Sequence, residues 1–309
     1  MTRLLFVKTS SLGDVVHQFP AVSDAARRAP GAAIDWVVEE AFAEVAALHP
    51  AVRRVLPVAV RRWRGALASP ATWREMGAFR RALAAEHYDC VIDTQGLLKS
   101  ALIARFADGP RHGYDSASAR EPLAAWLYDA RHPVPRGLHA IERNRWLSAA
   151  ALGYPGDGAC DYGLQASRAD PGGKIVLLTM TSRADKLWPE ERWAELGRAI
   201  GAPCVLPWGS EPDRERAERI ARSIPGAEVP PHRPLREWVP LLRGARAVVG
   251  VDTGLAHLAV ALGAPVVGIY CGSDPALTGL HGSARAVNVG GKEAAPEAAE
   301  VLAALRELG

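Results

Sequence analysis

The sequence predicts an α/β protein built from two doubly wound parallel sheets, one in each half of the chain. Short apolar runs alternate with longer amphipathic ones, which is the pattern of strand–helix–strand units. The series occurs twice with a turn-rich break between, and 309 residues is about the length of two ordinary domains. In the first series the apolar runs Leu4–Lys8, Ile34–Val38, Val52–Val58 and Cys90–Asp93 read as strands. The amphipathic stretches Val15–Arg28, Thr72–Glu86, Leu97–Phe106 and Ala140–Leu152 read as helices between and after them. The break contains Gly153-Tyr-Pro-Gly-Asp-Gly and Ser167–Gly173, both rich in turn formers, and a fresh buried strand, Lys174–Thr179, follows it. Beyond it come strands Cys204–Pro207, Ala247–Val251 and Val266–Tyr270, with helices Glu190–Ile200, Glu211–Ser223, Leu235–Arg243, Gly254–Leu262 and Pro296–Leu308. The boundary falls near 165–172, giving domains 1–166 and 167–309, with the last helix free to pack back on the first domain. Two such domains facing a central cleft would hold a ligand between the carboxyl ends of their strands.

Composition narrows the class. Hydrophobic residues at 49% and charged residues at 23% are near the averages for folded, water-soluble chains, which excludes disorder, collagen-like repeats and a coiled-coil rod. Cys90, Cys160, Cys204 and Cys271 form no C-x-x-C pair, so neither a disulfide framework nor a structural zinc site is expected; reduced thiols in a cytoplasm fit better. Leu4-Leu5-Phe6-Val7 is too short for an export signal. The apolar region Leu258–Gly272, broken by Gly263 and Pro265, is too short for a membrane span. Net charge is +3, yet no acid stands between Glu44 and Glu75, a window holding Arg53, Arg54, Arg61, Arg62, Arg64 and Arg74. Such a window suits phosphate, carboxylate or an anionic membrane surface, or is a solvated face; nucleic acid is not an expected partner.

Four loops that follow strands carry the chemistry. In Lys8-Thr-Ser-Ser-Leu-Gly-Asp14 the small residues, Ser10 among them, leave room for a ligand. Asp14 at the helix start serves on spacing alone equally as an N-cap or as a functional acid. In Thr181-Ser182-Arg-Ala-Asp-Lys186, the lysine is one of five against thirty-two arginines. A compact ammonium beside hydroxyls suits a diphosphate, although an exposed lysine ahead of a helix is the plain alternative. In Asp252-Thr253-Gly254-Leu255-Ala-His257 a helix opens with unpaired N–H groups and a positive dipole end, a ready anion site, with His257 one turn along. In Pro207-Trp-Gly-Ser-Glu211-Pro-Asp213 the acids fit ribose hydroxyls, or cap the next helix. The P-loop, the dinucleotide G-x-G-x-x-G after a strand, H-E-x-x-H and G-x-S-x-G are all missing, so kinase-like, redox, zinc-hydrolase and nucleophile-elbow chemistry lose their usual support.

The chain resembles the lipopolysaccharide heptosyltransferases of glycosyltransferase family nine, and within them the branch that adds the first heptose. The resemblance rests on Val7-Lys-Thr-Ser-Ser-Leu-Gly-Asp-Val15, Asp93-Thr-Gln-Gly-Leu-Leu-Lys-Ser100, Thr181–Glu190 and Val251–His257, with Arg61-Arg-Trp-Arg64 and Ala119-Arg-Glu-Pro-Leu123. It implies a GT-B fold, with the acceptor bound mainly by the first domain and the nucleotide sugar by the second. It also implies direct, inverting displacement, with ADP-heptose as donor, Kdo-lipid A as acceptor and no cofactor or metal. Asp14 is then the general base. Thr181, Ser182 and Lys186 hold the diphosphate, Asp252 lies near the heptose, and Thr253, Gly254, Leu255 and His257 surround phosphates and sugar. Asp213, or Glu211, takes the ribose. Ser10, Arg61, Arg62, Arg64, Lys99, Arg120 and His139 are the acceptor candidates, at the cytoplasmic face of an anionic inner membrane. Relatives commonly carry His and a small residue before the Thr-Ser pair; here Thr179-Met180 stand there. A second-heptose transferase, using a heptosylated acceptor, and a non-catalytic nucleotide-sugar-binding protein are the competing readings.

Overall fold

The computed structural model describes residues 1–164 and 173–308. The N-terminal part runs β1 (Arg3–Val7), α1 (Leu12–Val16), α2 (Phe19–Arg28), β2 (Ala33–Glu39), α3 (Ala43–Ala46), β3 (Val52–Val58), α4 (Val60–Gly65), α5 (Pro70–Ala84), β4 (Cys90–Asp93), α6 (Leu98–Ala104), β5 (Arg111–Tyr114), β6 (Ala130–His132) and α7 (Ala140–Leu152). Its strands form one parallel sheet in the order β3-β2-β1-β4-β5-β6. The order reverses between β1 and β4, so the loops leaving those two strands part to opposite faces and leave a crevice at their carboxyl ends. Leu5, Val7, Val37 and Val91 pack under Trp63, Leu83 and Tyr88 on one side of this sheet.

Several elements differ from the sequence expectation, α3 and α4 among them, and three of the differences have a direct physical reason. The single helix expected over Val15–Arg28 is two, because Pro20 lacks an N–H and is accommodated in the first turn of α2 rather than inside a continuous helix. Strands β5 and β6 were not legible as apolar runs, since Arg-His-Gly-Tyr and Ala-Arg-His are largely polar and lie toward the sheet edge.

The C-terminal part runs β7 (Ile175–Leu178), α8 (Glu190–Ile200), β8 (Cys204–Val205), α9 (Glu211–Ala221), α10 (Leu235–Arg243), β9 (Ala247–Val251), α11 (Gly254–Ala261), β10 (Val266–Tyr270), α12 (Pro275–Thr278), β11 (Ala286–Gly290) and α13 (Ala298–Glu307). Its parallel sheet has the order β11-β10-β9-β7-β8, reversing between β7 and β9. Trp188 and Trp193 meet edge to face at 5.0 Å in its core. The half-exposed edge strand β11 escaped the sequence reading. Helix α13 packs on α8, β10 and β11 of its own sheet. The two parts are separate compact units dividing between Gly163 and Leu164; the boundary expected near 165–172 lies outside the described residues. All four cysteines are free, and no helix among the described residues is long and apolar enough to cross a membrane.

Candidate active site

Because β7 and β9 are neighbours at the reversal, the loops that leave them come together. Thr181 Oγ1 donates to the Asp252 carbonyl oxygen at 2.8 Å. The short 3-10 turn Ala184–Lys186 brings the Lys186 ammonium to 2.6 Å from Asp252 Oδ2. Ser273, in the loop after β10, donates to the same oxygen at 2.6 Å, and His257 Nε2 stands 3.5 Å from Oδ1. Burial by itself would raise the Asp252 pKa, but hydrogen bonds from His257, Lys186 and Ser273 outweigh it and hold the carboxyl well below the usual carboxylate range. An ammonium has three N–H donors, and Asp252 uses one. The others, with the first-turn donors of α11, suit an anion; Thr253 N-caps that helix with no side-chain hydrogen bond and Gly254 opens it. Ser182 is exposed in the same loop, while Leu255 is half-buried on the first turn of α11. Thr179 is fully buried and its Oγ1 has no partner.

The loop bearing Lys186 lies hard against Gly272: a Cβ there would stand 2.4 Å from the Asp185 carbonyl oxygen. Ser273 and Gly272 were missed from sequence, where Cys-Gly-Ser-Asp reads as an ordinary turn; their only signal is that they follow a central strand. Glu211 and Asp213 do not join the Lys186 cluster. Asp213 Oδ2 accepts from the N–H groups of Gly209 and Ser210 at 3.3 and 3.0 Å, capping α9, and Glu211 pairs with Arg214 one turn along.

In the N-terminal unit the loops after β1 and β4 meet in the same way. Gln95 Oε1 accepts from the N–H groups of Thr9 and Ser10 at 3.1 and 3.3 Å. Lys99 donates to Ser10 Oγ at 3.2 Å. Asp14 is the third residue of α1 rather than its N-cap, which is Ser11; it accepts from the Ser11 N–H at 2.9 Å through Oδ2, a capping-box contact, and pairs through Oδ1 with Arg120 at 3.2 Å. Lys8, just behind them, is buried and donates to the Thr94 carbonyl and to Asn144 Oδ1 at 2.8 and 3.3 Å. Burial pushes its pKa down to about 8 despite the neighbouring Asp14 and Asp93 carboxylates. His139 caps α7, its Nδ1 accepting from the Ile141 N–H at 3.2 Å.

The acid-free arginine window is not acid-free in space. Asp35 on β2 and Glu86 after α5 hold Arg53 and Arg54. Glu40 and Glu75 bracket Arg62 at 3.0 and 2.8 Å. Arg61 donates its backbone N–H to Glu39 and lays its guanidinium over Phe42, and Arg64 is exposed. Half of the expected basic surface is therefore internal pairing, with Arg61, Arg64 and Arg74 left outside it.

The model of glycosyltransferase family 9 (heptosyltransferase) matches residues 76–304. Lipopolysaccharide heptosyltransferase 1 of Escherichia coli (strain K12) is 47% identical over 290 residues, 91% of each chain. The protein of the same name from Pseudomonas aeruginosa is 49% identical over 289 residues, 91% of this chain and 81% of that one. The structure of the E. coli heptosyltransferase WaaC with ADP superposes with a TM-score of 0.91 at 42% identity, covering 100% of both chains. The two doubly wound sheets are thus those of the GT-B fold. With a matched model across most of its length and relatives near half identical, the chain is a glycosyltransferase and belongs to family 9, the heptosyltransferases.

Proposed function

We propose that this chain moves L-glycero-D-manno-heptose from ADP-heptose to the Kdo of Kdo-lipid A, as lipopolysaccharide heptosyltransferase 1. The observation that carries the reading is the Lys186–Asp252–His257 cluster at the sheet reversal beside the start of α11, a site shaped for a diphosphate. The relatives near half identical bear the type 1 name, which favours the first-heptose acceptor over a heptosylated one.

In this reading residues 167–309 bind the donor and 1–166 the acceptor. The diphosphate takes the free donors of Lys186 and Ser182 and the N–H groups at Gly254 and Leu255, the Thr181 hydroxyl joining only after it releases the Asp252 carbonyl oxygen, while Asp252, Thr253 and His257 orient the sugar. Asp213 is committed to its cap through one oxygen and reaches a ribose only with the other; Glu211 first leaves Arg214. The acceptor hydroxyl oxygen attacks the anomeric carbon as the bond to the ADP oxygen breaks, and its proton passes to Asp14. Charge gathering on ADP meets preorganised N–H donors and one ammonium, which need no reorganisation during the step. Arg120 pairs with Asp14 before the acceptor arrives and with an acceptor carboxylate afterwards, which frees Asp14 Oδ1 for the proton. Lys99 with Ser10, Arg61 and Arg64 supply further anion contacts, Arg62 only after releasing its glutamates, and His139 through its outer ring edge. The enzyme works in the cytoplasm against the inner membrane.

Mass spectrometry of Kdo-lipid A after incubation with ADP-heptose tests the reading. A gain of one heptose is expected. A gain only on the already heptosylated lipid makes this the second transferase, and ADP binding without any gain makes it a binding protein.

A further inference from the structure

Among the described residues ten large hydrophobic side chains stand exposed, and seven of them share one strip of the N-terminal unit. At one end Leu67, Trp73 and Phe106 open onto an apolar groove of about 410 Å³ floored by Trp63, Met76 and Phe79. Leu98 and Leu102, four residues apart on one face of α6, carry the strip along that helix to Phe106 in the turn just beyond its end. At the other end the 3-10 turn Pro122–Leu127 packs on α6 through Ala124 and Ala101, and presents Leu123 and Trp126, 67% and 77% exposed. Single apolar residues on a surface are ordinary, whereas a contiguous run of this size marks a place where something docks.

The charge beside the strip says what docks. Arg80 sets its guanidinium 5.4 Å over the Phe106 ring, Arg64 lines the groove and Arg105 adjoins Phe106. None of the three forms an ion pair among the described residues, unlike Arg53, Arg54 and Arg62 in the same unit. Glu121 beside Leu98 is committed, accepting the Leu98 N–H at 2.6 Å. Trp73 spends its indole N–H internally on the Leu67 carbonyl at 2.8 Å, so its exposed ring offers only apolar surface. Tryptophan, leucine and phenylalanine fringed by unpaired arginines complement anionic phosphates lying over acyl chains. The strip also ends beside Lys99 and Arg120, where the proposed lipid-borne acceptor is handled.

We propose that this strip is the surface on which the protein seats against an anionic phospholipid bilayer. Trp73, Leu102 and Trp126 enter the interfacial layer, and Arg64, Arg80 and Arg105 meet headgroup phosphates. This deepens the functional reading by naming the surface that brings Asp14 to a membrane-held acceptor. It is tested by co-sedimenting the full chain with phosphatidylcholine vesicles with and without phosphatidylglycerol, across a salt series. The parent is expected to favour the anionic vesicles and to release with salt. Trp126→Ser and Leu102→Ser should each lower partitioning about tenfold, and Arg80→Gln with Arg105→Gln should flatten the salt dependence. Trp146→Ser, exposed elsewhere, should change nothing. Transfer to a deacylated, water-soluble acceptor is read in parallel and should be unaltered in Trp126→Ser and Leu102→Ser. Partitioning that ignores these substitutions, or that is equal on both vesicles at every salt, overturns the proposal. So does a change in oligomeric state without a change in vesicle binding, which would make the strip a protein interface. Absence of transfer in the parent refutes the functional reading alone, since vesicle binding is scored separately.

Discussion

Replacing Lys186 by alanine removes an ammonium whose side chain is only 18% exposed and leaves Asp252, 8% exposed, with Ser273 and His257 alone. Breaking a buried pair from one side strands the remaining charge, at a cost of about 3 kcal/mol at the low end of the usual range. For a unit of this size that corresponds to a fall of about 6–12 °C in Tm. The catalytic loss is separate: a preorganised donor to a leaving diphosphate is worth roughly 100- to 1,000-fold in rate. The two effects come apart in Lys186→Ala with Asp252→Asn, where no stranded carboxylate remains. That double variant should regain most of the thermal stability and none of the turnover. Calorimetry of the fold, titration of ADP and steady-state heptose transfer at saturating donor measure the three quantities. Turnover of Lys186→Ala within tenfold of the parent would refute the role assigned to the ammonium. Recovery of turnover in the double variant would show that the single variant had merely been misfolded.

Asp14→Asn should retain ADP binding and lose transfer by roughly 100- to 10,000-fold, the usual worth of a positioned base; a loss of ADP affinity instead would move Asp14 out of that role. Gly272→Ala places a methyl 2.4 Å from the Asp185 carbonyl oxygen, so the 184–186 turn must shift, and ADP affinity should drop although Gly272 makes no polar contact. Unchanged titration curves would mean that the loop yields without moving Lys186. His49 is buried, with Nδ1 accepting from the Ala51 N–H at 3.2 Å and Nε2 2.9 Å from Ser23 Oγ, so protonation must break the first bond. Burial pushes its pKa down to about 4 against the weaker pull of Asp161. The unfolded chain therefore takes up the proton first as pH falls below about 6.5, and about 2 kcal/mol of stability should be lost between pH 7 and pH 5. Urea unfolding at both pH values should show the parent losing about 2 kcal/mol more than His49→Gln, since the half-buried His112 and His132, also held below the usual imidazole range by burial, contribute equally to both.

What the sequence revealed and what it concealed follow from range. Parallel strands covered on both faces are continuous apolar runs, which is why Cys90–Asp93, Ala247–Val251 and Val266–Tyr270 were placed at their observed ends. Edge strands such as β6 and β11 lack that signature. The loop residues Asp14, Thr181, Lys186, Asp252 and His257 were legible because unusual polar residues stood where a strand ended and a helix began. Pairing across the fold was not. Nothing local says that Asp35 and Glu86 reach Arg53, that Glu40 reaches Arg62, or that Lys8 at the end of the first strand is buried against Thr94 and Asn144. Ser273 belongs to the same group: a serine after a strand becomes part of the site only once the sheet order places β10 beside β9.

The two sheet reversals each carry an ion pair, and their difference in burial matters for the proposed reaction. Lys186 and Asp252 are enclosed, share Oδ2 with Ser273, and stay fixed while charge develops on the donor. Asp14 is 14% exposed but its partner Arg120 is 47% exposed, so their 3.2 Å contact resembles a surface pair worth about 0–1 kcal/mol. An acceptor carboxylate can therefore draw Arg120 away at little cost, leaving the base competent only when the acceptor is present. The Ser11 N–H bond to the other oxygen holds the carboxylate in place through that exchange. One pair is built to persist and the other to part, and an acceptor lacking its carboxylate should accordingly lose turnover more than a base left permanently free would suggest.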